Sequence, residues 1–149
     1  MILKGRSING GQAEGKAIVW KNAFSFLGEV DPQTGDFVEG HELSGNSIAG
    51  RILVFPTGRG STAGPIIAWR LMKVGKGPKA MICQEAEPVI ALDAITAGVP
   101  MVDRFNEDPL EVMKTGDWVK VNATDGVIEI KRPEGLRRHQ AEKRKGHAK

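Results

Sequence analysis

Short apolar runs separated by turn-forming residues follow one another along the chain from residue 16 onward. Residues 17–20 (AIVW) predict a strand. Residues 52–55 (ILVF) form a continuous apolar run, which is typical of a strand buried on both faces. Pro56 ends that strand, because proline has no amide hydrogen for a central ladder. Residues 80–83 and 99–102 predict two further extended segments.

Two helices are predicted between these strands. The first begins near Pro65, since proline suits the first turn of a helix. One face of this helix carries apolar residues at three- and four-residue spacing, namely Ala63, Ile67, Leu71 and Val74. Such a face is expected to pack on a sheet. The second helix covers residues 88–97, with Gly98 in the C-cap position.

The remaining elements complete an α/β domain. Residues 118–121 and 127–130 flank Thr124-Asp125-Gly126, which is a hairpin signal. Residues 28–40 are loop-like. The order predicts strands at both ends of a central strand–helix–strand–helix–strand unit. We expect a small barrel-like or sandwich β core flanked by two helices.

Charge divides the chain into a body and a tail. Residues 131–149 hold eight Lys/Arg against two Asp/Glu, whereas residues 1–130 hold thirteen against sixteen. The body, with a net charge of −3, is therefore mildly acidic, and the tail, with a net charge of +6, makes the whole chain positive at +3. We expect one domain over residues 1–131, because a chain of this length usually forms a single hydrophobic core. Residues 132–149 are expected to form a basic, solvated extension.

Composition excludes several classes of protein. No stretch approaches the ~20 apolar residues of a membrane span, and the N-terminal residues lack the apolar core of a secretory signal. The single cysteine excludes an internal disulfide and a zinc finger of the Cys-pair type. We therefore expect a cytoplasmic protein without a membrane partner.

Two residues with possible chemistry have simpler structural interpretations. His41 is the only histidine outside the tail, and its polar surroundings favour a surface or loop position. Cys83 ends an apolar strand, which favours the core. One histidine and one cysteine do not make a metal site. Asp103-Arg104 follows a strand where ligand residues are often placed, although a surface salt bridge is the commoner explanation of such a pair.

The most informative segment is ILVFPTGRGSTAG, residues 52–64. A buried strand delivers Gly58, Arg59, Gly60, Ser61 and Thr62 to the start of a helix. Backbone amides and the positive end of the helix dipole make such a position a natural anion site. The glycines allow close approach of a ligand, and the arginine can pair with a carboxylate or phosphate.

Two roles are open for Ser61, the hydroxyl best placed in this segment. A serine before a helix is commonly an N-cap that stabilises by roughly 1 kcal/mol. The same serine can face a substrate. A nucleophile elbow is excluded because the flanking positions are Arg59 and Ala63 rather than glycines. A P-loop is excluded because its lysine is missing.

The blocks GHELSGNSIAGRILVFPTGRGSTAG and ICQEAEPVIALDAITAGVPMVDRF resemble the small-subunit family of archaeal phosphomevalonate dehydratases, within the aconitase X group. The resemblance covers about residues 1–132 and is most specific between Ser47 and Gly64. It implies a β/β/α swivelling domain that acts with a larger subunit. That subunit carries an iron–sulfur cluster, expected to be [4Fe-4S], so no metal is expected on this chain.

The family reaction implied is dehydration of (R)-mevalonate 5-phosphate to trans-anhydromevalonate 5-phosphate in archaeal isoprenoid synthesis, with Ser61 as proton acceptor. A serine acting as base needs an alkoxide held by amides, the helix terminus and a cation, for which Arg59 is the candidate. Gly58, Arg59, Gly60 and Thr62 are expected to bind the small phosphorylated hydroxy acid.

Three alternatives stay open. One is another hydroxy-acid dehydratase of the aconitase X group, with a different partner and substrate. The second is a scaffold without catalytic function, in which Ser61 is only a helix cap. The third is a nucleic-acid-binding module that uses the basic tail. The acidic body, the absence of tyrosine and the lack of an aromatic stacking pattern argue against nucleic acid as a partner.

Overall fold

The computed structural model describes residues 1–131, so the predicted basic tail, residues 132–149, lies outside the described residues. The strands are β1 (Ile2–Lys4), β2 (Arg6–Asn9), β3 (Gln12–Val19), β4 (Ile52–Phe55), β5 (Ala80–Cys83), β6 (Met101–Asp103), β7 (Trp118–Asn122) and β8 (Val127–Lys131). The helices are α1 (Phe26–Glu29), α2 (Gly64–Lys73), α3 (Pro88–Ala97) and α4 (Pro109–Val112).

The strands form one mixed sheet in the order β1-β8-β7-β3-β4-β5-β6-β2. The long strand β3 joins its two halves. Residues 12–16 of β3 pair antiparallel with β7, and residues 17–19 pair parallel with β4. The central strands β4, β5 and β6 are parallel neighbours, as the strand–helix–strand–helix–strand prediction requires.

Alternating side chains of the parallel strands build two cores. Ile52 and Val54 of β4 join a cluster with residues of β7 and β8, so the two halves of the sheet face each other. Leu53 and Phe55 join the other cluster, which includes residues of α2 and α3. The molecule therefore has β, β and α layers. This confirms the predicted α/β fold, with a sandwich-like β core and flanking helices.

Most predicted elements are confirmed, with one error in the packed face of α2. Ile67 and Leu71 are buried as expected. Val74 is 61% exposed, because it is the C-cap residue and no longer has helical backbone angles. Gly98 is the C-cap residue of α3, as predicted, and adopts the left-handed conformation that glycine favours at this position. Within residues 1–131, no helix has the length and apolar character needed to cross a lipid bilayer.

Candidate active site

The segment from Thr57 to Ala63, called here the serine loop, lies at the carboxyl edge of the parallel strands. The Pro56 carbonyl, just after β4, accepts hydrogen bonds from the amides of Gln84 (3.0 Å) and Glu85 (3.1 Å). The Gln84 carbonyl accepts from the amide of Arg104 at 2.9 Å. The connections after β4, β5 and β6 are therefore neighbours. Open α/β sheets commonly place ligands at this edge.

Phe24 fixes the start of the serine loop. Its amide donates to the Thr57 carbonyl at 2.9 Å, and its carbonyl accepts from the Arg59 amide at 2.8 Å. The Phe24 ring is fully buried and packs at 5.1 Å from Phe26 and 5.6 Å from Phe55, measured between ring centroids. The backbone before Ser61 is thus anchored to the core.

The two glycines of the loop have different surroundings. A Cβ at Gly58 would lie 2.5 Å from Ile90 Cβ and would also collide with the Glu87 carboxylate. Packing of the loop against α3 therefore explains why residue 58 is glycine. A Cβ at Gly60 would lie 3.6 Å from Val89 Cγ2, which is an ordinary contact. Gly60 is the glycine on the exposed side of the loop.

The expectation that Ser61 caps α2 is wrong. Ala63 occupies the N-cap position and makes no side-chain capping bond. A turn between Ser61 and the helix delays the first helical residue to Gly64, whose amide donates to the Ser61 carbonyl at 3.1 Å. The Ser61 hydroxyl accepts from the Ala63 amide at 3.3 Å, so its bond stays within the loop. The side chain is partly exposed.

The serine loop presents unused backbone donors. The amides of Gly60, Ser61 and Thr62 donate no hydrogen bond to any other residue of the described range. They precede the N-terminus of α2, where the helix dipole favours negative charge. Three successive donors beside a hydroxyl form a local environment that can bind an anion or stabilise an alkoxide.

The Arg59 side chain forms an ion pair with Glu29, a partner that the sequence did not indicate. Its Nη2 lies 3.3 Å from Glu29 Oε2, while its side chain is 60% exposed. Glu29 belongs to α1 and is buried. Its position in a loop-like stretch gave no signal of this role, because its partners lie far away in sequence.

His41 lies in a loop, as predicted, but its side chain is not on the surface. The ring is 9% exposed and lies between Trp20 and Phe37, with ring centroids 4.5 and 4.7 Å away. Its Nε2 is 3.1 Å from Glu29 Oε1, and its Nδ1 accepts from the Leu43 amide at 2.9 Å. His41 and Arg59 therefore share one carboxylate.

Cys83 lies in the core, as predicted. Burial, followed by the nearby charge of Asp103, raises the pKa of the Cys83 thiol. A thiol held neutral in the core is a poor ligand for iron. Within residues 1–131, no three His, Cys, Asp or Glu side chains come together as a potential metal site. The donor set of this part of the chain does not fit an iron–sulfur cluster.

The surface salt bridge expected for Asp103-Arg104 is not formed, because the two side chains have other partners. Asp103 is fully buried and accepts two hydrogen bonds from the Arg6 guanidinium, at 2.9 and 2.8 Å. Arg104 pairs with Glu85, with Nη2 2.6 Å from Oε1. The Arg6–Asp103 pair joins β2 to β6, and the Arg104–Glu85 pair joins the connections after β6 and β5, beside the serine loop.

The family model of the aconitase X swivel domain matches residues 2–130 of this chain. The chain belongs to this family. The chain is also similar to a chain in the crystal structure of Thermococcus kodakaraensis aconitase X (holo-form). That structure superposes with a TM-score of 0.82 at 47% identity, covering 89% of this chain and 99% of that one.

Two curated relatives of this swivel domain carry the name phosphomevalonate dehydratase small subunit. The protein from Methanocella arvoryzae is 50% identical over 131 residues, which are 87% of this chain and 99% of that one. The protein from Methanosarcina acetivorans is 47% identical over 134 residues, which are 89% and 93% of the two chains. The similarity thus extends over nearly the whole of each relative.

Proposed function

We propose that this chain is the small subunit of a two-subunit hydro-lyase that dehydrates (R)-mevalonate 5-phosphate. The product is trans-anhydromevalonate 5-phosphate, an intermediate of archaeal isoprenoid synthesis through mevalonate. The names of the relatives at 47–50% identity support this assignment. The chain covers almost all of their length, so the comparison concerns the same subunit rather than a fragment.

The observation that carries the proposal is the serine loop at the carboxyl edge of the sheet. Ser61 stands there with three unused amides and the start of α2. This arrangement can lower the free energy of a serine alkoxide relative to water, because the donors are fixed before the charge develops. Ser61 is also partly exposed, so a second subunit can complete the site there.

We propose Ser61 as the proton acceptor. Its alkoxide oxygen takes a proton from the carbon next to the substrate carboxylate, and the C–H electron pair becomes the new carbon–carbon double bond. The hydroxyl on the adjacent carbon leaves as hydroxide on the side of the large subunit. The proton taken up by Ser61 then returns to this hydroxide through solvent, which releases one water and regenerates the alkoxide. The amides of Gly60 and Thr62 stabilise the alkoxide before transfer. A positioned base contributes about 10²–10⁴ in rate.

The iron–sulfur cluster implied by the family belongs, in this proposal, to the large subunit. The single cysteine of the chain is buried with a raised thiol pKa, so it does not supply cluster ligands. This chain contributes the base and part of the anion-binding surface. The two subunits then share one active site at the serine loop.

The test of the proposed substrate is an anaerobic assay of the complex purified from its source cells. We expect a larger subunit to co-purify and mevalonate 5-phosphate to lose one water, detected by mass spectrometry. The chain without its partner is the control and is expected to be inactive. Co-purification of the partner without this product would contradict the substrate and favour another hydroxy acid of the group.

A further inference from the structure

Glu29 connects the serine loop to the segment between β3 and β4. Its carboxylate is buried, at 9% side-chain exposure, and both oxygens are used. Oε2 accepts from the Ser25 amide at 2.6 Å and lies 3.3 Å from Arg59 Nη2. Oε1 lies 3.1 Å from His41 Nε2. A buried carboxylate needs such partners, because its desolvation is costly.

The hydrogen bonds of His41 fix its tautomer. The Leu43 amide donates to Nδ1, so that nitrogen carries no proton. Nε2 therefore carries the proton and donates to Glu29 Oε1. The rings of Trp20 and Phe37 hold the imidazole in place. His41 consequently orients the Glu29 carboxylate and adds no charge to it.

Arg59 is the cationic partner of this carboxylate. One of its terminal nitrogens meets Glu29, whereas 60% of the side chain remains exposed. A guanidinium has five N–H donors in a planar fork, so one contact leaves others for a ligand. The Arg59 amide is fixed by the Phe24 carbonyl. Backbone and side chain are thus both held, with donors still facing outward.

We propose that Glu29 and His41 are positioning residues that hold Arg59 to bind an anionic group of the substrate, a carboxylate or a phosphate. This inference rests on the proposed function. It replaces the role of Arg59 as the cation beside the Ser61 alkoxide, because the guanidinium is held by Glu29 at 3.3 Å while most of the side chain stays exposed to a ligand. Arg59 then contributes to substrate binding in the ground state and transition state alike.

Glu29→Gln in the complex of both subunits tests the inference. Glutamine keeps the size and an acceptor for the Ser25 amide but removes the charge. We expect KM for mevalonate 5-phosphate to rise about tenfold, equivalent to ~1.4 kcal/mol of binding, with kcat within about twofold of wild type. A fall in kcat at unchanged KM would overturn the proposal in favour of alkoxide stabilisation.

Glu42→Gln is the matched control. Glu42 lies in the same segment and pairs with Lys21 at 3.2 Å, but both side chains are more than half exposed. Exposed ion pairs contribute little to stability, so we expect wild-type KM and kcat for Glu42→Gln.

Two variants of His41 test its positioning role. His41→Gln keeps a donor near Glu29 and is expected to retain more substrate affinity than His41→Phe. Equal KM for these two His41 variants would contradict a positioning role.

A double-mutant cycle separates positioning from general loss of structure. If Glu29 acts through Arg59, Glu29→Gln has no further effect on KM in an Arg59→Ala background. Additive effects would contradict the proposal.

Mevalonate, which lacks the 5-phosphate, serves as a second substrate and identifies which anionic group Arg59 binds. If Arg59 binds phosphate, Glu29→Gln leaves kcat/KM for mevalonate unchanged; if it binds the carboxylate, both substrates lose equally.

An NMR measurement on the full chain tests the contact without turnover, so it remains informative even if the proposed substrate is wrong. The Arg59 Nη–H signal, which reports on the nitrogen that contacts Glu29, is expected to be slowed in solvent exchange in wild type and to exchange several times faster in Glu29→Gln. Identical exchange in both proteins would overturn the proposed contact. Failure of mevalonate 5-phosphate turnover in wild type would count against the function alone.

Discussion

Asp93 is a buried carboxyl on α3 that shows how closely the two helices pack. It is 2% exposed, and its Oδ1 has no hydrogen-bond partner among residues 1–131. A Cβ at Gly64, the first residue of α2, would lie 2.7 Å from its Oδ2, which explains the glycine there. Burial, followed by the charge of Glu87, raises the pKa of Asp93 from 3.8 to about 7.

The raised pKa of Asp93 predicts a pH-dependent cost to stability. Below about pH 4 the Asp93 carboxyl is neutral in both the folded and the unfolded protein, so its ionisation does not lower the free energy of unfolding. As the pH rises from about 4 to 7 the unfolded chain releases this proton first, so the free energy of unfolding falls; above pH 7 the loss is complete. Asp93→Asn is therefore expected to be more stable than wild type at pH 8, by about 2–4 kcal/mol.

Urea unfolding of wild type and Asp93→Asn at pH 4 and pH 8 measures this difference. Comparing the two proteins at each pH cancels the contributions of the other carboxylates. We expect similar stability at pH 4 and a clear advantage for the variant at pH 8. The same difference at both values would contradict a buried carboxyl that titrates near neutral pH.

At the scale of elements, the contact between the serine loop and α3 makes a second prediction. Gly58→Ala places a methyl group against Ile90 and is expected to cost about 1–3 kcal/mol of stability. Gly60→Ala, two residues on, has room for its methyl group and is expected to change stability by less than about 0.5 kcal/mol. Thermal unfolding of the two variants gives the comparison; equal losses would contradict the packing described for Gly58.

The sequence predicted the central elements because their signals are local. The apolar runs of β4 and β5 are buried on both faces, and Pro56 and Gly98 mark the ends of a strand and a helix. Strands β1 and β2 were missed. They have three and four residues, which is too short to establish a period, and β2 has no buried residue. Their pairing with β8 and β6 comes from tertiary structure.

The candidate site was predicted only in part for the same reason. The motif placed Ser61 between a buried strand and a helix, and the structure has it there. The contact of Arg59 with Glu29, and of Glu29 with His41, joins residues separated by 30 and 12 positions. Such long-range contacts leave no periodic pattern of hydrophobic and polar residues in the sequence. The sequence left capping of α2 open as a role of Ser61, because the added turn that separates Ser61 from the helix has no distinct sequence signal.

At the scale of the molecule, apolar side chains are exposed beside the serine loop. Leu27 of α1 is 50% exposed and Ile66, in the first turn of α2, is 49% exposed. The two helices contact each other. If the partner subunit completes the site at this loop, it is expected to cover these residues. This is the same face, around residues 47–64, at which the shared active site would lie.

Ile66→Asp is therefore expected to reduce recovery of the large subunit in co-purification at least tenfold. Val74→Asp is the matched control, because it adds the same charge at an exposed position about 12 Å further along the helix. We expect Val74→Asp to recover the partner as wild type does. Equal recovery with both variants would place the subunit interface elsewhere.

The central claim is that Ser61 supplies the base to an active site shared with a larger subunit. Its most direct test is the kcat of the Ser61→Ala complex, purified and assayed anaerobically beside wild type and a Ser44→Ala control on an exposed loop. We predict that the partner still co-purifies and that kcat falls about 10²–10⁴-fold, with the control unchanged. Near-normal turnover by Ser61→Ala would contradict the account.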